Sequence, residues 1–323
     1  MVSSAGIGLL GACEVASPLK TTPTAKPRRI GFLAGGTAKT SEIEAFRQEL
    51  RDLGYVEGRD VVIELRTADS VPERLPGLVS ELIALPAEVL VSAGTLATRA
   101  AKQATSTIPI VFHRVSDPVA QGIVASLARP GGNLTGVTAA PSPGPKRLEI
   151  LMAIVPGLKR IAVLWNANNP GAALQLRDAE DAARTLGLEL QLFGVHNPDE
   201  LDIALETIAR SRPDALMVET AFNLFRELGQ IPEFAAKMRL PAAYGTDAAF
   251  VQAGGLMGLG SNTASLARRA AHLVDKILKG ADPADLPVEL PTQLDFIVNL
   301  SAAERIGLTI PESVLRQATQ FVR

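Results

Sequence analysis

Arg28-Arg29-Ile30-Gly31-Phe32-Leu33-Ala34 and, roughly 131 residues later, Lys159-Arg160-Ile161-Ala162-Val163-Leu164-Trp165 share one design: a basic pair, then a short apolar run. Short apolar runs of this kind read as buried strands. The parallel continues outward from both. A helical pattern ending at Leu53-Gly54 has its counterpart ending at Leu186-Gly187, Val89-Leu90-Val91 matches Ala215-Leu216-Met217-Val218, and Ile108-Pro109 matches Leu240-Pro241. Four landmarks at a nearly constant offset predict two copies of one plan. Two tandem domains, or two lobes facing each other across a cleft, both satisfy that offset.

Within the first copy the alternation is regular. Ser41 to Leu53 carries Ile43, Phe46, Leu50 and Leu53 at helical spacing, Val61 to Leu65 reads as a strand, and Leu75 to Leu85 as an amphipathic helix. Val89 to Ser92 follows as a strand, Thr95 to Thr105 as a helix, and Ile108 to Phe112 as a fourth strand. Strand and helix in strict alternation give a parallel sheet covered on both faces. After Tyr244-Gly245 there are elements that a closed second repeat cannot use: Gly254 to Gly260, a helix from Ala264 to Leu278, a Pro-rich stretch from Asp282 to Pro291, a strand Phe296 to Leu300 and a helix Ala302 to Ile306. They are best spent on returns between the lobes, which gives three crossings near residues 138, 245 and 280 and hence a hinge. The expected division is 28–138 plus 246–278 for the first lobe and 139–245 plus 279–323 for the second, after a leader and linker over 1–27.

Composition narrows the function classes. The 323 residues hold 32 Lys plus Arg against 34 Asp plus Glu, a net charge of −2, which argues against a nucleic-acid partner. One Cys and three scattered His leave no basis for a disulfide framework or a metal cluster. Gly31 to Gly36 does not fit the dinucleotide spacing, and no phosphate-loop or nucleophile-elbow string occurs, so neither a cofactor nor an enzymatic activity is expected. An apolar segment from Ile7 to Ala12 ends at Cys13 and is followed by a Pro/Thr/Ser/Lys linker. Leu10-Gly11-Ala12-Cys13 resembles a lipoprotein signal, in which the Cys is lipidated; no Lys or Arg precedes Lys20, so either the start is misassigned and the leader longer, or the resemblance is accidental.

Several long strings resemble one family. They are Phe46-Arg47-Gln48-Glu49-Leu50-Arg51-Asp52-Leu53-Gly54-Tyr55-Val56-Glu57-Gly58-Arg59, Ala101 to Phe112, Ser126-Leu127-Ala128-Arg129-Pro130-Gly131-Gly132-Asn133-Leu134-Thr135-Gly136, and Val274-Asp275-Lys276-Ile277-Leu278-Lys279-Gly280. In this order they are similar to the ABC-transporter substrate-binding proteins of the tryptophan/tyrosine-type uptake family, over about residues 28 to 312. The resemblance implies a type I periplasmic-binding-protein fold: two doubly wound parallel-sheet lobes, a ligand cleft between them and three crossovers. It implies a monomer outside the cytoplasm that captures a small organic, amino-acid-like ligand and delivers it to an ABC permease. Signalling rather than transport is the alternative use of the same binding event. The only expected membrane contact is the lipid on Cys13.

Ligands of open α/β sheets sit beyond the carboxyl ends of the strands. That rule nominates Gly35 after the first strand and Gly94, Thr95 and Leu96 after the third, where a helix N-terminus suits a carboxylate. Gly94 as turn and Thr95 as cap is the plain structural reading, compatible with binding. Ser116 and Asp117 follow the fourth strand; Asp117-Pro118 is also an ordinary helix start. In the second copy the candidates are Asn166 and Asn169 ahead of Asn168, then Thr220, Tyr244 and Asp247. Tyr244 either stacks on a planar ligand or packs beneath the hinge. Two positions depart from the family pattern: Thr220-Ala221 stands where members commonly have Pro-Asp, and Leu259 where they commonly have Tyr. Those losses count against an aromatic amino acid as ligand.

Overall fold

The computed structural model describes residues 1, 26–36, 40–69, 71–139, 143–219, 229–245, 248–291 and 294–323. The leader with Cys13 lies outside them. The first lobe is a five-stranded parallel sheet in the order β2-β1-β3-β4-β5, built from β1 (Arg28–Ala34), β2 (Val61–Thr67), β3 (Val89–Ala93), β4 (Ile110–Val115) and β5 (Leu134–Thr138). Of its central strands, β3 is buried along its whole length and β1 from Ile30 onward, because helices cover both faces. On one face α1 (Thr40–Asp52) and α9 (Thr263–Leu278) bury Ile43, Phe46, Leu266, Ala270 and Val274 against Ile30, Phe32, Val89 and Val91. On the other, α2 (Leu75–Ala84) and α3 (Thr95–Ala104) pack on Leu33, Leu90, Ile110 and Phe112.

The second lobe has a seven-stranded sheet in the order β12-β11-β10-β9-β8-β6-β7. Its strands are β6 (Arg160–Asn166), β7 (Glu189–Val195), β8 (Ala215–Val218), β9 (Ala242–Gly245), β10 (Met257–Ser261), β11 (Leu294–Asn299) and β12 (Gln320–Val322). All pair in parallel except β10 with β11, so this sheet is mixed. Helices α4 (Gly144–Ile154) and α5 (Pro170–Leu186) cover one face; α6 (Leu201–Ser211), α7 (Gln230–Lys237) and α8 (Ala248–Gln252) cover the other.

The expected lobe boundaries need correcting at the C-terminal side. Residues 248–261 belong to the second lobe, not the first: β10 is buried between β9 and β11, and Phe250 stacks on Tyr244 with ring centroids 4.9 Å apart. Conversely, residues 279–291 stay with the first lobe, where the Thr135 hydroxyl donates to Leu286 O at 2.8 Å and Val288 N donates to Leu127 O at 2.8 Å. The second crossing therefore falls at Asn262 rather than near 245, and the third after residue 291 rather than near 280. These crossings are tied together. Thr138 N donates to Glu289 O at 2.9 Å, and Asn262 Nδ2 to Asp295 Oδ2 at 2.7 Å. Leu134 to Gly136 lie within β5, the edge of the first sheet.

Candidate ligand site

The strand ends of the two sheets meet at the first turns of α3 and α5. Gly94 follows β3 with φ 90°, a backbone geometry that an L side chain adopts only under strain, and it occupies the N-cap of α3. Its N–H donates to His113 O at 2.9 Å. No side chain caps this helix, so the N–H groups of its first turn point outward without a partner from the cap. Thr95 is therefore the first helical residue, not the cap; it is buried, with Leu96 half-buried beside it. Across the interface lies Gly171 of α5. A Cβ there would stand 3.0 Å from Thr95 Oγ1 and 3.2 Å from Asn169 Oδ1, so only glycine lets the two turns approach this closely.

Asn169 caps α5 by accepting from Gly171 N at 2.9 Å, and Asn166, fully buried, accepts from Asn168 N at 2.9 Å. The asparagine cluster thus shapes the turn after β6. Asn168 is exposed and donates to His196 O at 2.8 Å. Gly35 is buried just after β1.

Ser116 and Asp117 lie toward the hinge. Ser116 Oγ accepts from Gln175 Nε2 of the second lobe at 3.1 Å. Asp117 is exposed and accepts from Ala120 N at 2.9 Å, closing a turn; the helix expected after Pro118 does not form. Both residues line an interlobe cavity of about 360 Å³ with Thr138, Leu174, Gln175 and Leu290.

Tyr244 is not at the cleft. Its side chain is fully buried in the second-lobe core against Phe250, and burial pushes its hydroxyl pKa far above the ordinary phenol value. The packing alternative holds, within the lobe rather than beneath the hinge. Thr220 and Asp247 lie outside the described residues.

Two charged clusters at the strand ends escaped the sequence reading. Arg147 of α4 donates to Glu219 Oε2 at 2.6 Å and to Val218 O at 3.2 Å, a wholly buried pair at the end of β8. At the end of β4, His113 Nδ1 and Arg114 Nε lie 3.2 Å and 3.4 Å from the same Glu42 oxygen. Burial lowers the His113 pKa to about 4; Glu42 opposes that shift and Arg114 adds to it, so the imidazole is neutral at pH 7. The polar pair His113-Arg114 directly after the apolar string Ile110 to Phe112 was the available signal. Among the described residues no cluster of metal-binding side chains occurs, and no helix is long and apolar enough to cross a membrane.

Comparison with known proteins supplies the family. The model of the ABC transporter substrate binding protein family matches residues 33–322. The chain belongs to that family. Its members bind substrates rather than transform them; their partners are small molecules and ABC permeases, and they work outside the cytoplasm. A tyrosine-binding protein of Clostridioides difficile (strain R20291) is 25% identical over 302 residues, covering 91% of this chain and 87% of that one. The ABC domain from Streptococcus pneumonia in complex with L-Trp superposes with a TM-score of 0.85 at 25% identity, covering 92% of this chain and all of that one. A conserved domain protein from Vibrio cholerae gives 0.85 at 27% identity with the same coverage. A ligand-free, open substrate binding protein from Clostridium difficile shares the fold at 24% identity, with a TM-score of 0.65 and coverage of 92% and 99%.

Proposed function

We propose that this protein is the receptor of an ABC importer, capturing a small amino-acid-like solute between its lobes and closing on it for delivery to the permease. The observation that carries the reading is the meeting of Thr95 and Gly171, which sets two helix N-termini against each other at the strand ends of both sheets. The α3 end has no side-chain cap and carries a positive partial charge suited to a ligand carboxylate, whereas at α5 the N–H groups of Gly171, Ala172 and Ala173 already donate to Asn169. Gly35, Gly94, Thr95, Leu96, Asn166 and Asn169 border that place, with Ser116 and Asp117 toward the hinge. Thr220 and Asp247 remain candidates on the strength of their sequence positions. Supporting the ligand class, the tyrosine-binding and L-Trp-bound relatives are those named above.

The lobes close through differential contact: solute is held mainly by the first lobe, and its added contacts with the second favour the closed form. The protein acts as a monomer, tethered through lipid on Cys13. Thermal unfolding of protein refolded to remove bound solute, against amino acids, aromatic acids, nucleosides and small sugars, tests the reading. A binder at about 100 times its dissociation constant stabilises by ~2.7 kcal/mol, several degrees in Tm. A panel without any shift would remove the solute-receptor reading.

A further inference from the structure

Arg114 has an unusual position. The β4–β5 ladder slips between His113 and Val115, and Arg114 sits in that bulge with φ 61°, in the left-handed region that a non-glycine residue rarely occupies. Neighbouring residues of a regular strand point to opposite faces. Here the bulge turns Arg114 so that it and His113 reach the same Glu42 oxygen. The guanidinium is then carried toward the α3 turn, with Nη2 3.9 Å from where a Cβ on Gly94 would stand.

Its donors are poorly used there. The side chain is only 22% exposed, and its Nε is buried without a hydrogen-bond partner, facing Glu42 at ion-pair distance alone. Among the described residues neither terminal nitrogen makes a hydrogen bond. A guanidinium has five donors in a planar fork; here the Nε–H alone is kept from water without an acceptor, a costly arrangement, while the terminal nitrogens are not buried. A carboxylate matches that fork with two parallel bonds. With Glu42 balancing one positive charge and His113 neutral, the unpaired N–H groups of α3 leave the local field favourable to a further anion.

We infer that Arg114 is a specificity-determining residue of the cleft, selecting solutes that carry a carboxylate by pairing with it beside Gly94. The inference rests on the solute-receptor reading and narrows it to organic acids, amino acids included.

The test compares L-tyrosine, L-tryptophan, indole-3-acetate and benzoate with their primary amides, by calorimetry, on the wild-type protein and on Arg114→Gln and Arg114→Lys. Far-UV circular dichroism and Tm verify that both variants fold. The expected result is an acid preferred over its amide by about tenfold or more, the scale of one charge-assisted bidentate contact. Arg114→Gln should abolish that preference, weakening the acid and leaving the amide within about threefold, while Arg114→Lys restores part of it. An acid preference that survives in Arg114→Gln, or a wild-type protein that takes amides, neutral sugars or nucleosides as well as acids, overturns the role of Arg114 and leaves the receptor standing. No binding of any solute class would overturn both.

Discussion

Gln175 of the second lobe donates through Nε2 to the Ser116 hydroxyl of the first, at 3.1 Å. This bond lies beside the hinge, where a small loss of contact is magnified at the cleft mouth. A net hydrogen bond contributes about 0.5–1.5 kcal/mol. Gln175→Ala should therefore weaken solute binding by roughly two- to tenfold, with Tm little changed. Calorimetry and the radius of gyration by X-ray scattering check it; unaltered affinity would remove this bond from the closure mechanism.

Gly171 makes a sharper prediction. A leucine there would press on Thr95 Oγ1, which belongs to the other lobe. Glycine also is a poor helix residue, so Gly171→Leu should leave the second lobe folded while holding the lobes apart. Affinity should fall by more than about tenfold, equivalent to ~1.4 kcal/mol, and scattering should report a more extended molecule.

The Arg147–Glu219 pair is buried on both sides. Removing one partner strands a charge, and Arg147→Met should cost about 3–5 kcal/mol. The double variant Arg147→Met/Glu219→Leu should recover most of that loss. Urea unfolding of the three proteins decides the matter.

His113 titrates against the usual direction for stability. Its folded pKa of about 4 lies below the ordinary 6.5, so the unfolded chain binds the proton more readily. Its contribution is complete above pH 6.5 and is lost as pH falls from there toward 4, by at most about 3 kcal/mol. His113→Gln should flatten the stability profile across that window.

Backbone strain at Arg114 can be isolated from its charge. Arg114→Gly and Arg114→Ala both remove the cation, yet only glycine relieves the positive φ. The glycine variant should be the more stable of the two by about 1 kcal/mol in urea unfolding.

The repeat was legible because a basic pair, Arg28-Arg29 or Lys159-Arg160, stands at the start of β1 and of β6 and each strand continues as a buried apolar run, features local to the chain. The C-terminal assignments were not. Gly254 to Gly260 carries no sign of whether its strand pairs with the first sheet or the second; that depends on β9 and β11. Asn169 was nominated only as a ligand contact, though the Pro that follows it was a signal for its capping of α5. Tyr244 misled because its place at a strand end suggests exposure, whereas Phe250 covers it. Arg114 was invisible for a different reason: a bulge is set by register with a neighbouring strand, not by the residues that occupy it.

Helix α9 has a bearing on the order in which the molecule can be assembled. Its apolar side closes the core over β1 and β3, yet it is made after nearly the whole second lobe. A chain growing from its N-terminus thus has all five strands of the first sheet long before the helix that seals one face. Until then Ile30, Phe32, Val89 and Val91 have only α1 over them and lack the rest of their cover. Neither lobe is a contiguous piece of chain, so a fragment ending at Thr138 is not a miniature of the first lobe but an unfinished half-core, and the native state is reached only near the end of synthesis.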